Sequence, residues 1–535
     1  MKELHPRSRR GGLAFLLLVA LAGSPLAAQK TVSGGPRGGP FGAVRAIDRR
    51  LAPGRVWLVP LGGGGARIAQ PSIQAAVDVA AGGDTVLLSD GVFRGAGNRD
   101  VHVTGKNLIL RSQNGPDSCV VDCQGLGRGF FFDGPLVTED TFLCGVTITR
   151  GEVPMTTGGG VLVQNGAHPM LEGCVIDSCV RSGVFYSYSN QNGLLPLGIV
   201  RGCLFTNNST NGDGGGFWGG ASLVDGCTFI GNTAGSFGGA ARTTNTMRDC
   251  LIVGNSVTNS ISGGGGVFAG VDARIENCTF VGNTALNNGG VGGGLILAVG
   301  TTVVSNCIFW GNAATLCGQQ VFQAGPTPGT TATVLRYCDI EGGENGVETS
   351  FLLSNTPVLE NCLDLDPLFA DETVGDYHLQ AGSPCIDAGD PAFVVAPGQG
   401  DIDRQPRLSA ARLDLGSDER WSGATLGLVA PGRAGETNTT ELTGAAPGSL
   451  ASFFVGSTPG AFDLSFGACP NLTLGLEDPS FLATLPVSPQ GNATYSQPVP
   501  ASAAGQSIFL QAVTLDTRAG SISCELTNVL AHTYP

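Results

Sequence analysis

The chain has 535 residues, 85 of them glycine, with only 13% charged residues and a formal net charge of −14. Lysine is confined to Lys2, Lys30 and Lys106, so the basic footprint that nucleic-acid binding needs is missing. Glycine at this level without a collagen period marks a turn-rich β protein, and the length suggests two or three domains.

Residues 1–28 read as a secretory signal peptide. Arg7, Arg9 and Arg10 precede the apolar run Leu13–Ala22, and Leu26-Ala27-Ala28 offers a small-residue cleavage site. The run is too short to span a bilayer, and no second apolar span follows it. The expectation is a secreted or outer-cell-surface protein with no transmembrane anchor after cleavage. Arg9-Arg10 leaves the export route open. Residues 29–66 are Gly/Pro-rich and expected to be flexible in part.

From residue 67 the pattern changes. Ile73, Ala76, Val77 and Ala80 stand at i, i+3, i+4 and i+7, with Ser72 placed as N-cap and Gly82 just past the end. A one-faced helix followed by an apolar run at Asp84–Leu88 is what the exposed first coil of a stacked repeat needs as a lid.

Between Leu171 and Cys362 one short phrase recurs eight times, ending at Cys174, Cys203, Cys227, Cys250, Cys278, Cys307, Cys338 and Cys362, at intervals of 23 to 31 residues. That is the period of a solenoid coil. An apolar residue lies three before each Cys and another usually two after it. Side chains on a strand alternate with period two, so the residue at −3 has the wrong parity for the Cys face and the chain must bend between them. Position −1 is Gly173, Gly202, Gly226, Asp249, Asn277, Asn306, Tyr337 and Asn361. All but the tyrosine tolerate the left-handed backbone of a tight bend. Five residues after Cys stand Asn208, Asn232, Asn255, Asn283 and Asn312, a spacing that stacks asparagines at one corner.

A Gly run then opens another short strand in each repeat. Three strands and three corners per repeat, stacked in parallel, make a β-helix. A leucine-rich repeat would need its own leucine signature and helices, which are missing. The Cys column is expected inside as small hydrophobes. Zinc sites need close Cys pairs, a spacing approached only by Cys119 and Cys123.

The Gly-Gly-[small or apolar] and Phe-x-x-Asn elements (Phe229–Asn232, Phe280–Asn283, Phe309–Asn312) make residues 68–420 resemble the pectate-lyase-like, right-handed parallel β-helix proteins. They are also similar to the repeats of chlamydial polymorphic outer-membrane proteins. The resemblance implies a right-handed solenoid over residues 67–420. These motifs are structural and carry no activity with them.

After Cys362 the repeat degrades into Asp364–Asp371, Asp376–Leu379, Gly382–Gly389 and Asp401–Arg404, which resembles the closing segment of exported β-helix proteins and is read as a C-terminal cap. Residues 421–535 show short apolar runs between Gly/Pro turns, the pattern of a small antiparallel β-sandwich. Its two cysteines, Cys469 and Cys524, are the disulfide candidate.

Enzymes of this fold use clustered aspartates for Ca²⁺ or paired carboxylates on adjacent coils for acid and base work. The coil aspartates occupy no common column, and no nucleophile or base stands out. Asp364, Asp366, Asp401 and Asp403 are the candidate metal ligands, with Ca²⁺ the one cofactor considered and Asx-turn capping the competing role. For binding, one column after the Gly runs reads Leu162, Phe185, Trp218, Ala241, Phe268, Ile296, and the column before it Val161, Val184, Phe217, Ala240, Val267, Leu295. One faces the core and the other faces out. If the aromatic column is outside, Phe185, Trp218 and Phe268 form a stripe for a sugar or a partner; if inside, it is core, the commoner arrangement. The expected function is a secreted or surface scaffold for carbohydrate binding or adhesion, non-catalytic. A polysaccharide lyase or hydrolase and a structural envelope protein are the alternatives.

Overall fold

The computed structural model describes residues 55–59 and 70–534, apart from 155–156, 188–197, 221–222, 244, 260–262, 287, 299–301, 325–332, 351–356, 381, 397–398, 405–406, 408–411, 421–423, 446–448, 467–468, 489–491, 517–522 and 528; the side chains of 459–473 and 516–525 are also outside the description. The signal-peptide assignment therefore lies outside the described residues, as do the side chains of Cys469 and Cys524.

Three long parallel sheets wrap one core. Sheet A has 12 strands, from Val56–Val59 to Val358–Glu360. Sheet B has 10, from Gly91–Phe93 to Asp339–Ile340, and sheet C has 10, from Val101–Thr104 to Val347–Thr349. Each strand pairs with its equivalent one coil away, in register. The arrangement is an all-β parallel solenoid with additional antiparallel sheets in the C-terminal region. A fourth ladder, five two-residue strands from Ser209–Thr210 to Ala313–Ala314, was not foreseen. It lies between the asparagine corner and the Gly run.

The first strand of sheet A, Val56–Val59, falls inside the Gly/Pro-rich segment 29–66, so the solenoid begins before residue 67. Helix α1 (Ile73–Val79) buries Ile73, Ala76 and Val77, and the Ser72 hydroxyl accepts from the Ala75 amide. At its other end the Lys106 ammonium donates to the carbonyls of Val77 and Ala80, both at 2.6 Å, satisfying acceptors that a helix terminus leaves open.

All eight residues before the repeat cysteines have φ between 48° and 58°, including Tyr337. A tyrosine there costs strain that the flanking ladders hold in place. The bend turns Cys174, Cys203, Cys227, Cys250, Cys278 and Cys307 inward, each at most 2% exposed. Neighbours are linked by amide-to-sulfur contacts such as Cys203 N to Cys227 Sγ at 3.4 Å, and all are free thiols. Asn208, Asn232, Asn255, Asn283 and Asn312 form a buried ladder. Each of the first four receives its acceptor from the next rung, as where Asn232 N and Nδ2 both donate to Asn255 Oδ1 at 2.9 Å. Nδ2 also donates to a strand carbonyl one coil back, that of Phe205. This satisfies buried backbone at a corner where sheet pairing stops.

The segment after Leu363 does not sit over the end of the solenoid as a cap. It runs back along its side. The Cys385 thiol donates to Asp339 Oδ2 at 3.2 Å, the Asp390 amide to Asn306 Oδ1 at 2.8 Å, and Gln399 Nε2 to Asp249 Oδ2 at 2.7 Å. Farther back, a Cβ at Gly202 would collide with the Arg404 guanidinium. The chain then returns, with the Gly416 amide donating to the Asn306 carbonyl and the Ser417 amide to Thr279 Oγ1, both at 2.8 Å. The physical reason is apolar burial. Phe369, Leu379, Cys385 and Leu415 pack on Val281 and Ile308, outward residues of sheet B that would otherwise face water.

The C-terminal region pairs antiparallel. Thr437–Thr443 lies between Thr425–Leu426 and Ala493–Pro498, and Leu450–Gly456 between Ser480–Pro486 and Ser507–Asp516. Leu426, Leu442, Ala451, Phe453, Ala512 and Leu530 share its core.

Candidate functional site

Each sheet of the solenoid meets its surroundings differently. The outward column of sheet A beside the tight bend reads Glu172, Arg201, Asp225, Arg248, Glu276, Ser305, Arg336, Glu360. Charge alternates along it, and Arg201 Nε to Asp225 Oδ2 (2.9 Å), Arg248 Nε to Asp225 Oδ1 (3.1 Å) and Arg336 Nε to Glu360 Oε2 (2.8 Å) are close pairs. Opposite charges on neighbouring strands stabilise the sheet and consume its polar groups. The later coils of sheet B, at Val253, Val281, Ile308 and Trp310, are covered by the returning segment. Sheet C presents the aromatic column.

The central strands of sheet C, from Val184–Tyr186 to Val267–Ala269, read buried, half-buried, buried, so each gives one outward side chain. The register is His102, Phe131, Leu162, Phe185, Trp218, Arg242, Phe268, Ile296, Phe322, Glu348. Val184, Phe217, Ala241, Val267 and Leu295 point to the core, all 0% exposed. The aromatic column is therefore the outer one. Ala241 does not belong to it: Ala240 replaces the third turn glycine of the preceding coil, Gly216, so the strand starts one residue later and Arg242 takes the outward place.

The rings stack on each other. Phe185 and Trp218 have centroids 4.1 Å apart and planes within 5°; His102 and Phe131 are at 4.5 Å and 10°. The Arg242 guanidinium lies between Trp218 (6.0 Å) and Phe268 (5.1 Å), paired with Asp213. Ring faces are thus occupied by neighbours in the ladder, so a ligand meets ring edges, not the open faces that sugar stacking would use. Ile296 and Phe322, 1% and 8% exposed, close one end of the stripe with Cys317.

The acidic residues tell a different story. Asp364 Oδ1 accepts from the Gly342 amide, and Asp366 Oδ1 from the Leu368 amide. Asp401 is 2% exposed and accepts from the Glu419 amide. Asp403 pairs with His378 Nε2 at 2.6 Å. The candidate metal ligands thus each hold a turn or an ion pair. Of the four, only Asp403 joins the one set among the described residues with ligand-like proximity, His378–Asp403–Asp418. There His378 already binds Asp376 Oδ1 at 2.5 Å and Asp403 at 2.6 Å. The two carboxylates push the imidazole pKa up to about 12. His378 as the bridge was missed; its signal was the Asp376-Tyr377-His378 triplet within an acidic segment.

Burial pushes the carboxyls of Asp249 and Asp414 up to about 7 and that of Asp339 to about 6. Perturbed carboxylates mark candidate acids and bases. These three are 0% exposed, Asp249 and Asp339 on the solenoid beneath the returning segment and Asp414 within the segment itself, where a polymer has no access to them. Asp249 and Asp339 join the solenoid to the segment, and Asp414 ties the segment's outgoing and returning parts together through the Asp387 and Arg420 amides.

A family model described as "Right handed beta helix region" matches residues 144–309. No curated protein matches the chain. Fold and match together define a right-handed β-helix repeat protein.

Proposed function

We propose that the protein is a non-catalytic scaffold of the cell surface or exterior that binds carbohydrate through the outer face of sheet C. One observation carries this reading: sheet A pairs opposite charges along its outward column beside the bend, the returning segment covers Val281 and Ile308 on sheet B, and sheet C presents a run of half-buried aromatic residues, Phe185, Trp218 and Phe268, facing outward. The positive rim of an aromatic ring is turned toward solvent there, and it complements the hydroxyl and ether oxygens of a sugar. The buried state of the perturbed aspartates supports the non-catalytic part. The apolar run at the N-terminus supports export.

The test is a panel of purified polysaccharides presented to the mature chain, with and without Ca²⁺, scored for retention and for release of unsaturated or reducing-end sugar. Retention without release is expected. Depolymerisation of any polymer overturns the non-catalytic reading, and failure to retain any polymer overturns the carbohydrate reading.

A further inference from the structure

The stripe on sheet C is one residue wide and many coils long, because each strand contributes a single outward side chain between two buried ones. Four consecutive half-buried rungs, Phe185, Trp218, Arg242 and Phe268, extend about 14 Å along the solenoid axis at about 4.8 Å per coil. A folded protein partner needs a patch many residues across. A single file of ring edges instead matches a thin, extended chain.

The charges beside the stripe narrow the choice further. Arg242 is paired with Asp213, and Arg128, whose guanidinium lies 5.5 Å from the Phe131 ring, has Asp100 at 3.7 Å. His102 has Asp133 at 3.5 Å. Lys106, the one lysine among the described residues, is committed to the end of helix α1. Arg242 and Arg128 therefore each have a local anionic partner, His102 stands beside a carboxylate, the next charged rung is Glu348, and the chain carries −14 overall. A polyanion would be repelled at long range and would meet, among the described rungs, no cation without an anionic neighbour.

Resting on the carbohydrate reading above, we infer that the ligand is a linear, uncharged polysaccharide lying parallel to the solenoid axis across Phe185, Trp218, Arg242 and Phe268.

Affinity electrophoresis of the purified mature chain through gels holding either neutral linear glycans (a β-glucan, a mannan, an unsubstituted xylan) or acidic ones (pectate, alginate) tests this, at low and high salt. Retardation by a neutral glycan is expected, unchanged by salt, and reduced at least about tenfold in apparent affinity by Trp218→Ser with an unchanged melting curve. Should Trp218→Ser also melt early, Phe268→Ser is scored in its place by the same criterion. Retardation by acidic glycans alone, weakening with salt, overturns the neutral-ligand inference and leaves the carbohydrate reading standing. Neutral-glycan retardation that both serine variants retain places the ligand elsewhere and overturns the inference. Retardation by no glycan overturns both.

Discussion

Arg407 and Asp249 face each other with both side chains fully buried, Nε 3.5 Å from Oδ1. One comes from the returning segment and the other from a tight bend 158 residues earlier in the chain. Asp249 also accepts from Asn277 Nδ2 at 3.0 Å and Gln399 Nε2 at 2.7 Å, while an Arg407 Nη2 donates to the carbonyls of Asp414 and Gly416. Arg407 is thus a cross-brace between the returning part of the segment, at Asp414 and Gly416, and the solenoid. Removing one partner of a buried pair leaves an uncompensated charge, at a cost of about 3–5 kcal/mol. Arg407→Ala is expected to destabilise by that order in urea unfolding. The double variant Arg407→Met with Asp249→Asn, which removes both charges while keeping the left-handed bend and a side-chain acceptor for Asn277 and Gln399, is expected to recover much of the loss.

The pH dependence of this seam follows from its carboxyls. Asp249 and Asp414 move from an ordinary value of 3.8 up to about 7, and Asp339 to about 6, burial being the first cause in each. A raised folded-state pKa contributes stability that is complete below 3.8 and is lost as pH climbs through 6 to 7. His378, raised from 6.5 to about 12 by Asp376 and Asp403, contributes below 6.5 and loses that contribution as pH rises toward 12. Both act in the same direction. The Asp376 carboxyl, lowered by His378, acts oppositely and only in acid. Amide exchange at Asp387, Gly389 and Gly416, corrected for intrinsic rates, is expected to be slower at about pH 5 than at about pH 8. Equal protection at both would contradict the seam's electrostatics.

The asparagine ladder predicts a position-specific loss. Asn255 is 0% exposed and accepts from both the amide and the side chain of Asn232. Asn255→Ala strips two buried donors of their acceptor, each costing about 1–3 kcal/mol. The urea midpoint should fall well below that of Asn207→Ala, a neighbouring corner residue outside the ladder.

Neighbouring residues of one strand should separate inside from outside. Phe217 is fully buried and Trp218 half-buried. Phe217→Ala is expected to cost about 3–5 kcal/mol. Trp218→Ala, which empties no core volume, should cost clearly less in the same thermal melt.

The repeat thiols give a redox readout. The 14 cysteines with described side chains are free, and all but Cys362 are buried. A thiol reagent should therefore label the folded protein poorly and at least 14 thiols per chain in denaturant without reductant. Near-zero labelling after denaturation would show the column oxidised.

How much of this was legible in the residues depends on the range of the interactions involved. Gly, Asn or Asp before seven of the eight repeat cysteines marks the left-handed bend because few side chains tolerate that backbone, and the parity of Cys and its +2 partner marks the inward face. Both are local and repeat in every coil, so the solenoid, the Cys column and the Asn ladder could be read directly. The lid helix followed from its one apolar face and Ser72. Parity alone leaves the aromatic column ambiguous, since two columns of equal apolar character alternate, and only the packed core decides that Phe217 points in and Trp218 out. The Arg242 rung was hidden because Ala240 stands where its neighbours have glycine. The course of residues 364–419 was hidden for a stronger reason. Arg407 and Asp249, or Cys385 and Asp339, meet across 158 and 46 positions of sequence, and no spacing rule connects residues that come together only because sheet B offers an apolar outer face to cover. The local repeat determined the coil, and the burial of that face decided where the chain went after it.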